Sequence, residues 1–210
     1  MGHRTDKDPQ PLPPAVLAGT TLVIMFVVVS MVWRNTLHRP DIRGNWSSTS
    51  CEKLESPTGD KASRLQRMQL TGGQWTMEQT YFSDIDCQNK AYSLQTVGIY
   101  ELGNKSPEVD GAVHGEFIRK EIHLTAFSMD TAQVFEQYQC GNTKWETDVT
   151  TMINATGCTG ITPSISSCPA EYNLVKRDED TLYFGDRSES LCEHNEWPNK
   201  LEVSGLKKES

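Results

Sequence analysis

Hydrophobic and polar positions fall into distinct regimes along the chain. From Ala15 to Trp33, nineteen residues run without a charge. As a helix that run extends roughly 28 Å, close to the thickness of the hydrocarbon layer of a bilayer. A cleaved secretory signal has a shorter apolar core of about 7–15 residues, followed by small residues at the cut. Here the run ends in Ser30-Met31-Val32-Trp33, with bulky side chains where small ones are needed. The run is read as an uncleaved transmembrane anchor with Trp33 at the interface; a cleaved signal and a buried soluble helix are the alternatives.

Beyond the anchor the period changes to two. Trp75, Met77, Gln79 and Tyr81 alternate with Gln74, Thr76, Glu78 and Thr80, the pattern of a strand with one buried face. Thr71-Gly72-Gly73 before it is a hairpin signal after the strand-like residues 64–70. Tyr92, Leu94, Thr96, Gly98, Tyr100 and Leu102 continue the alternation. A further pair is expected at 111–118 and 122–127. Residues 171–176 and 181–184 flank the polar turn Arg177-Asp178-Glu179-Asp180. Seven or so strands at this spacing predict a mainly β fold, a closed antiparallel barrel or a sandwich. One segment departs from the pattern. Met129, Ala132 and Phe135, with Val134 and Tyr138, recur at helical spacing, with Ser128 as a cap and Gly141 just past the end. One short helix is expected there.

The predicted organisation is a Pro-rich cytoplasmic tail (1–14), the anchor (15–33), a juxtamembrane linker (34–41), one β domain (42–204) and a polar tail (205–210). Arg4 and Lys7 precede the anchor and Arg34, Arg39 and Arg43 follow it, so charge alone slightly favours the C-terminal side inside. The cysteines argue the other way. All six, at 51, 87, 140, 158, 168 and 192, follow the anchor and read as a disulfide framework in an oxidising compartment. Asn45, Asn104 and Asn154 open glycosylation sequons in the same segment. The expectation is a single-pass membrane protein whose large C-terminal domain lies outside the cytoplasm. Of 20 basic and 28 acidic residues the first 40 positions hold four and two, which leaves the remainder at −10. Such a surface excludes general nucleic-acid binding and repels anionic headgroups.

Catalytic signatures are sparse. Asp84-Ile85-Asp86 resembles the metal-nucleotide DxD of anchored glycosyltransferases, where two carboxylates hold a divalent cation. The tripeptide is common, and no strand–helix alternation accompanies it. There is no CxxC or HExxH, and Cys192-Glu193-His194 is poorly spaced for zinc. A serine nucleophile lacks its G-x-S-x-G elbow. No catalytic residue, metal or cofactor is expected. The inward-facing aromatic and Met side chains Trp75, Met77, Tyr81, Tyr92, Tyr100 and Phe117 are the candidates. They either fill a core or line a cavity for an apolar ligand.

Several motifs occur in a fixed order: Gly44-Asn45-Trp46-Ser47-Ser48-Thr49-Ser50-Cys51-Glu52, then Tyr81-Phe82-Ser83-Asp84-Ile85-Asp86-Cys87 and the strand from Tyr92 to Tyr100. Leu124-Thr125, Cys140-Gly141 with Trp145, and Gly157-Cys158 follow. The set closes on Cys168-Pro169-Ala170-Glu171-Tyr172-Asn173-Leu174-Val175-Lys176 and Leu182-Tyr183-Phe184-Gly185-Asp186. The ordered set, over residues 42–190, resembles the domain of the adenomatosis-polyposis-coli-down-regulated family. That resemblance implies a lipocalin-like β-barrel with a hydrophobic cavity for acyl chains. The family's animal members are cell-surface glycoproteins that antagonise Wnt signalling. They carry two such domains and a C-terminal anchor, whereas this chain has room for one domain and an N-terminal anchor.

Cys51 follows the first strand and Cys87 follows a strand expected to lie across from it, so this pair should tie one mouth of the barrel. By the chain-entropy model a loop of that length contributes roughly 3–4 kcal/mol. Cys140–Cys158 and Cys168–Cys192 are expected to staple the polar stretch 142–167. Three functional readings remain. The first is a tethered barrel that binds a fatty-acyl lipid or lipidated protein. The second is a solid interaction module whose loops meet a partner. The third is an anchored enzyme using Asp84 and Asp86.

Overall fold

A computed structural model describes residues 39–54, 62–186, 191–193 and 196–209. The expected tail and anchor lie outside the described residues, as does most of the linker. No described helix is long and apolar enough to cross a membrane.

Ten strands form one antiparallel sheet: β1 (Gly44–Ser47), β2 (Glu52–Leu54), β3 (Ala62–Thr71), β4 (Gln74–Phe82), β5 (Lys90–Lys105), β6 (Val113–Ala126), β7 (Thr150–Met152), β8 (Ala170–Asp178), β9 (Thr181–Phe184) and β10 (Leu206–Lys208). Eight of them close a ring in the order β1-β10-β9-β8-β6-β5-β4-β3, which β3 completes by pairing with β1. Ring closure removes the unpaired edges of an open sheet.

The ring is short and the strands β3 to β6 are long. β1 pairs only with the last part of β3, from Arg67 to Leu70, and β8 only with the first part of β6, from Val113 to Ile118. Beyond that closed lower half, β3 to β6 rise as a curved wall. β2 and β7 replace β1 and β8 as their outer partners.

Local chemistry explains the connections. Gly72 and Gly73 both take positive φ (59° and 81°) between β3 and β4, as the tight primed hairpin turns require. The helix α1 (Met129–Gln137) starts at Ser128, whose hydroxyl accepts from the Thr131 N–H, and it buries Ala132 and Phe135. Three disulfides, Cys51–Cys87, Cys140–Cys158 and Cys168–Cys192, match the expected pairs and leave no free cysteine.

Two expectations are corrected. Residues 113–126 form one strand rather than two, because a register shift between Val97 and Gly98 absorbs the charged interruption Arg119-Lys120-Glu121. Residues 205–210, expected as a polar tail, supply β10. Leu206 is buried opposite Leu182, and Lys207 and Lys208 pair with β1.

Candidate ligand-binding site

Strand register places four rungs of inward side chains across β3, β4 and β5. From the bottom they are Leu70–Trp75–Gly98, Met68–Met77–Thr96, Gln66–Gln79–Leu94 and Arg64–Tyr81–Tyr92. The interior therefore changes from apolar to polar over three steps of two residues.

The lower half is a packed core. Trp75, Met77 and Phe117 are only 4, 5 and 3% exposed, among Trp46, Met68, Leu70, Leu182 and Phe184. Phe117 is the hub. It meets Trp75 edge-on at 5.4 Å and Phe184 at 5.9 Å, and Tyr100 stacks on it at 6.0 Å. Gly98 is needed here, because a Cβ would lie 1.9 Å from the Ile118 carbonyl oxygen and 2.7 Å from Trp75 Nε1. At the floor the indole of Trp46 donates to the Ile42 carbonyl at 2.8 Å. The cations of Arg177 and Lys208 lie 5.7 and 5.8 Å from its ring centre.

The upper half is built differently. Glu52, on β2, accepts from Arg64 Nε and Nη2 at 3.1 and 2.9 Å, from Gln66 Nε2 at 3.2 and 3.0 Å on its two oxygens, and from the Ser48 hydroxyl. Gln79 Nε2 continues the ladder to Gln66 Oε1 at 3.0 Å. The Glu52–Arg64 pair is largely shielded, with side chains 13 and 14% exposed. Burial opposes the Arg64 charge, but the pull of Tyr81, Glu52 and Glu202 outweighs it and raises the pKa. Tyr81 and Tyr92 stack at 4.5 Å, and both remain partly exposed although they point inward. Burial, and then the neighbouring Tyr81, push the Tyr92 phenol well above its ordinary value.

A second apolar cluster backs the tyrosines. It joins Leu94, Ile122, Leu124 and Ala126 of the wall to Ala132 and Phe135 of α1 and to Trp145 and Ile153, with Ile161 and Ile165 partly exposed at its rim. Phe135 meets Tyr92 at 5.6 Å and Trp145 at 4.9 Å. Arg119 pins the covering loop. Its Nη1 donates to the Cys168 carbonyl at 3.2 Å, and its Nη2 to Thr162 Oγ1 at 2.7 Å and to the Pro163 carbonyl at 3.1 Å. Burial lowers its pKa, against the pull of Glu171.

The six aromatic and Met candidates thus divide. Trp75, Met77 and Phe117 lie in the packed lower core, with Tyr100 beside them. Tyr81 and Tyr92 lie at the upper mouth. Sequence reasoning missed Glu52, Arg64, Gln66 and the rim isoleucines. The available signal was Arg64 and Gln66 in the same inward period as Met68 and Leu70.

Asp84 is committed to its own turn. Its carboxylate accepts from the backbone N–H groups of Asp86, Gln88 and Asn89, and the bonds from Asn89 and Gln88 lower its pKa. Among the described residues no three His, Cys, Asp or Glu side chains group as metal ligands. The sequon residues differ as well. Asn45 and Asn104 are exposed. Asn154 accepts from the Ile122 N–H at 2.7 Å and donates to the Lys120 carbonyl at 3.3 Å, so it braces the irregular stretch of β6.

The fold and its interior define a class: a disulfide-stapled, closed antiparallel β-barrel with a packed base and a polar, partly open mouth. Residues 30–168 match the model of the family described as Adenomatosis polyposis coli down-regulated 1. That span is about two-thirds of the chain, and the protein belongs to this family. The matched span carries β1 to β7, and β8 to β10 complete the ring beyond it. No curated protein matches the chain.

Proposed function

We propose that this protein is a membrane-tethered, extracytoplasmic barrel that binds an acyl lipid or a lipid-modified partner at its upper mouth. The observation that carries this reading is the contrast within one interior. The lower rungs are buried, while inward Arg64, Tyr81 and Tyr92 keep solvent access beside an apolar wall. A barrel mouth with an apolar body and a few placed polar groups is the usual form of a small-ligand site. The filled lower half limits depth. Burying about eight methylenes at ~0.8 kcal/mol each yields a gross ~6 kcal/mol, before the ordering costs of association. Three disulfides support an oxidising, extracytoplasmic location. Wnt antagonism, through the lipid on such a ligand, is the family role this site would serve.

The test is native mass spectrometry of the full chain made in an oxidising compartment. A co-purifying acyl lipid, or stoichiometric uptake of an added one, is the expected result. A protein that is empty and refuses every acyl ligand refutes the reading.

A second reading also has an observation behind it. Met129, Val134, Tyr138, Val149 and Met152 are exposed around α1 and β7, which suits a solid interaction module with no lipid. It predicts that substitutions at these positions abolish partner binding while acyl ligands have no effect.

A further inference from the structure

We infer that the Cys51–Cys87 bond is a redox-sensitive latch on the upper mouth. Its reduction frees β2, withdraws Glu52 from Arg64 and Gln66, and uncovers the rung that carries Tyr81 and Tyr92. The consequence for a ligand rests on the lipid reading above; the latch itself does not. The three disulfides differ in access. Cys140 and Cys158 are 1 and 3% exposed, and Cys168 is 1% exposed in its bond to Cys192. Cys51 and Cys87 are both partly exposed, so an attacking thiolate can reach either sulfur. The bonds also differ in what they hold. Cys51 lies between β1 and β2, and Cys87 between β4 and β5, so neither is on a strand of the closed ring. The ring closes through β1 and β3 without help from β2.

The two ends of the latch are unequally anchored. The Cys87 loop holds itself. Asp84 accepts from the backbone N–H groups of Asp86, Gln88 and Asn89, and the Ser83 N–H donates to the Asn89 carbonyl. The Ser63 hydroxyl ties the same loop to β3 by donating to the Asp84 carbonyl. On the other side β2 has three residues, pairs with β3 along one edge and ends the strand order. Without the disulfide it is held by that short ladder and the side-chain bonds of Glu52, in a partly exposed place, and such segments open first. Glu52 follows Cys51 directly and moves with it. Arg64 and Gln66 then lose the carboxylate bonded to them, and the Arg64–Tyr81–Tyr92 rung loses its outer neighbour.

The step needs a reducing dithiol. One of its thiolates attacks a sulfur of the bond, and the other cysteine leaves as a thiolate and takes up a proton. The second thiol then closes the reductant's own disulfide and releases the remaining cysteine as a thiol, so two electrons pass from the dithiol to the cystine.

The experiment titrates the full chain in amphipol with dithiothreitol, quenches with N-ethylmaleimide and maps the labelled cysteines by mass spectrometry. Amide hydrogen exchange is read on the same samples. Cys51 and Cys87 should be labelled at dithiol levels at least about tenfold below those that label the other four. Peptides covering 52–54 and 62–66 should then exchange about tenfold faster or more, while β5, β6 and β8 keep their protection. Laurate carrying a fluorescent nitrobenzoxadiazole group should dissociate about five- to tenfold faster from the reduced protein. The variant C51S/C87S should reproduce both effects without reductant; the wild-type titration decides the latch even where that variant does not fold. Reduction of all three bonds at one dithiol level overturns the latch, as does exchange that rises across the whole barrel. Selective reduction that leaves 52–54 protected overturns it too. Failure of the labelled laurate to bind the oxidised protein overturns the lipid reading, and the exchange result alone then decides the latch.

Discussion

Replacing Phe117 with alanine separates a solid lower barrel from a hollow one. Phe117 is 3% exposed and contacts the rings of Trp75, Tyr100 and Phe184 at 5.4, 6.0 and 5.9 Å. Truncating a packed phenylalanine costs about 3–5 kcal/mol, as lost transfer energy plus the cavity left behind. Three ring contacts place this site toward the upper part of that range, since each well-formed aromatic pair adds roughly 0.5–1.5 kcal/mol beyond area burial. Neighbours on β4, β5 and β9 are held by the ring of hydrogen-bonded strands, which limits collapse into the void. For a domain of this size about 4 kcal/mol lowers the melting temperature by roughly 8–16 °C. The assay is reversible denaturant unfolding with the disulfides intact, alongside a thermal scan. A loss below about 1 kcal/mol would refute the packed base, because a side chain lining an open cavity forfeits little when shortened. Acyl uptake gives a second readout. The variant should gain no affinity for a short-chain ester, since the new void lies below the polar rungs rather than at the mouth.

Two further outcomes follow from the same geometry. Gly98→Ala should cost about 3 kcal/mol or more through overpacking, because its Cβ has to displace the Ile118 carbonyl and the Trp75 indole; wild-type stability in unfolding measurements would contradict the register at the β5–β6 bulge. His114 stacks on Trp197 at 4.2 Å, and burial lowers its pKa against the pull of Glu108. The unfolded chain then binds more protons than the native one just below the ordinary histidine range, so stability falls as pH drops through that window. His114→Gln should lose less melting temperature than the wild type between pH 7.5 and 5.5, and an identical pH slope would contradict the assignment.

Much of the barrel was legible in the chain. Trp75 to Tyr81 alternates, and Tyr92 to Leu102 does so apart from the outward Val97 and Ile99, because one face of each strand is inside. Ser128 and the Met129-Ala132-Phe135 spacing mark α1 for the same reason of one-sided burial. Of the short closing strands, a first strand is expected ahead of Cys51 without bounds, and β10 reads as a polar tail. β1 and β10 carry a single large apolar residue each, Trp46 and Leu206, and such a segment has no period to read. Closure is therefore a property of long-range pairing. The mouth was half legible. Tyr81 and Tyr92 stand out as aromatics, but Arg64 and Gln66 look like solvent-face residues until β2 brings Glu52 against them. Arg119 misled for a related reason. Its charge breaks the strand pattern, and the groups that compensate it lie more than forty residues away, at Thr162 to Cys168.

The most direct measurement is site mapping with a lauroyl glycerol ester that carries a photoreactive diazirine at the end of its acyl chain. Full-length protein is irradiated with the probe, digested and sequenced by mass spectrometry. A ligand held at the upper mouth labels Tyr81, Tyr92, Ile161 or Ile165, and unlabelled ester competes the signal away. Labelling of Trp75, Tyr100 or Phe117 would contradict the packed base, and labelling confined to Met129, Val149 or Met152 would move the binding surface to the outside of the barrel.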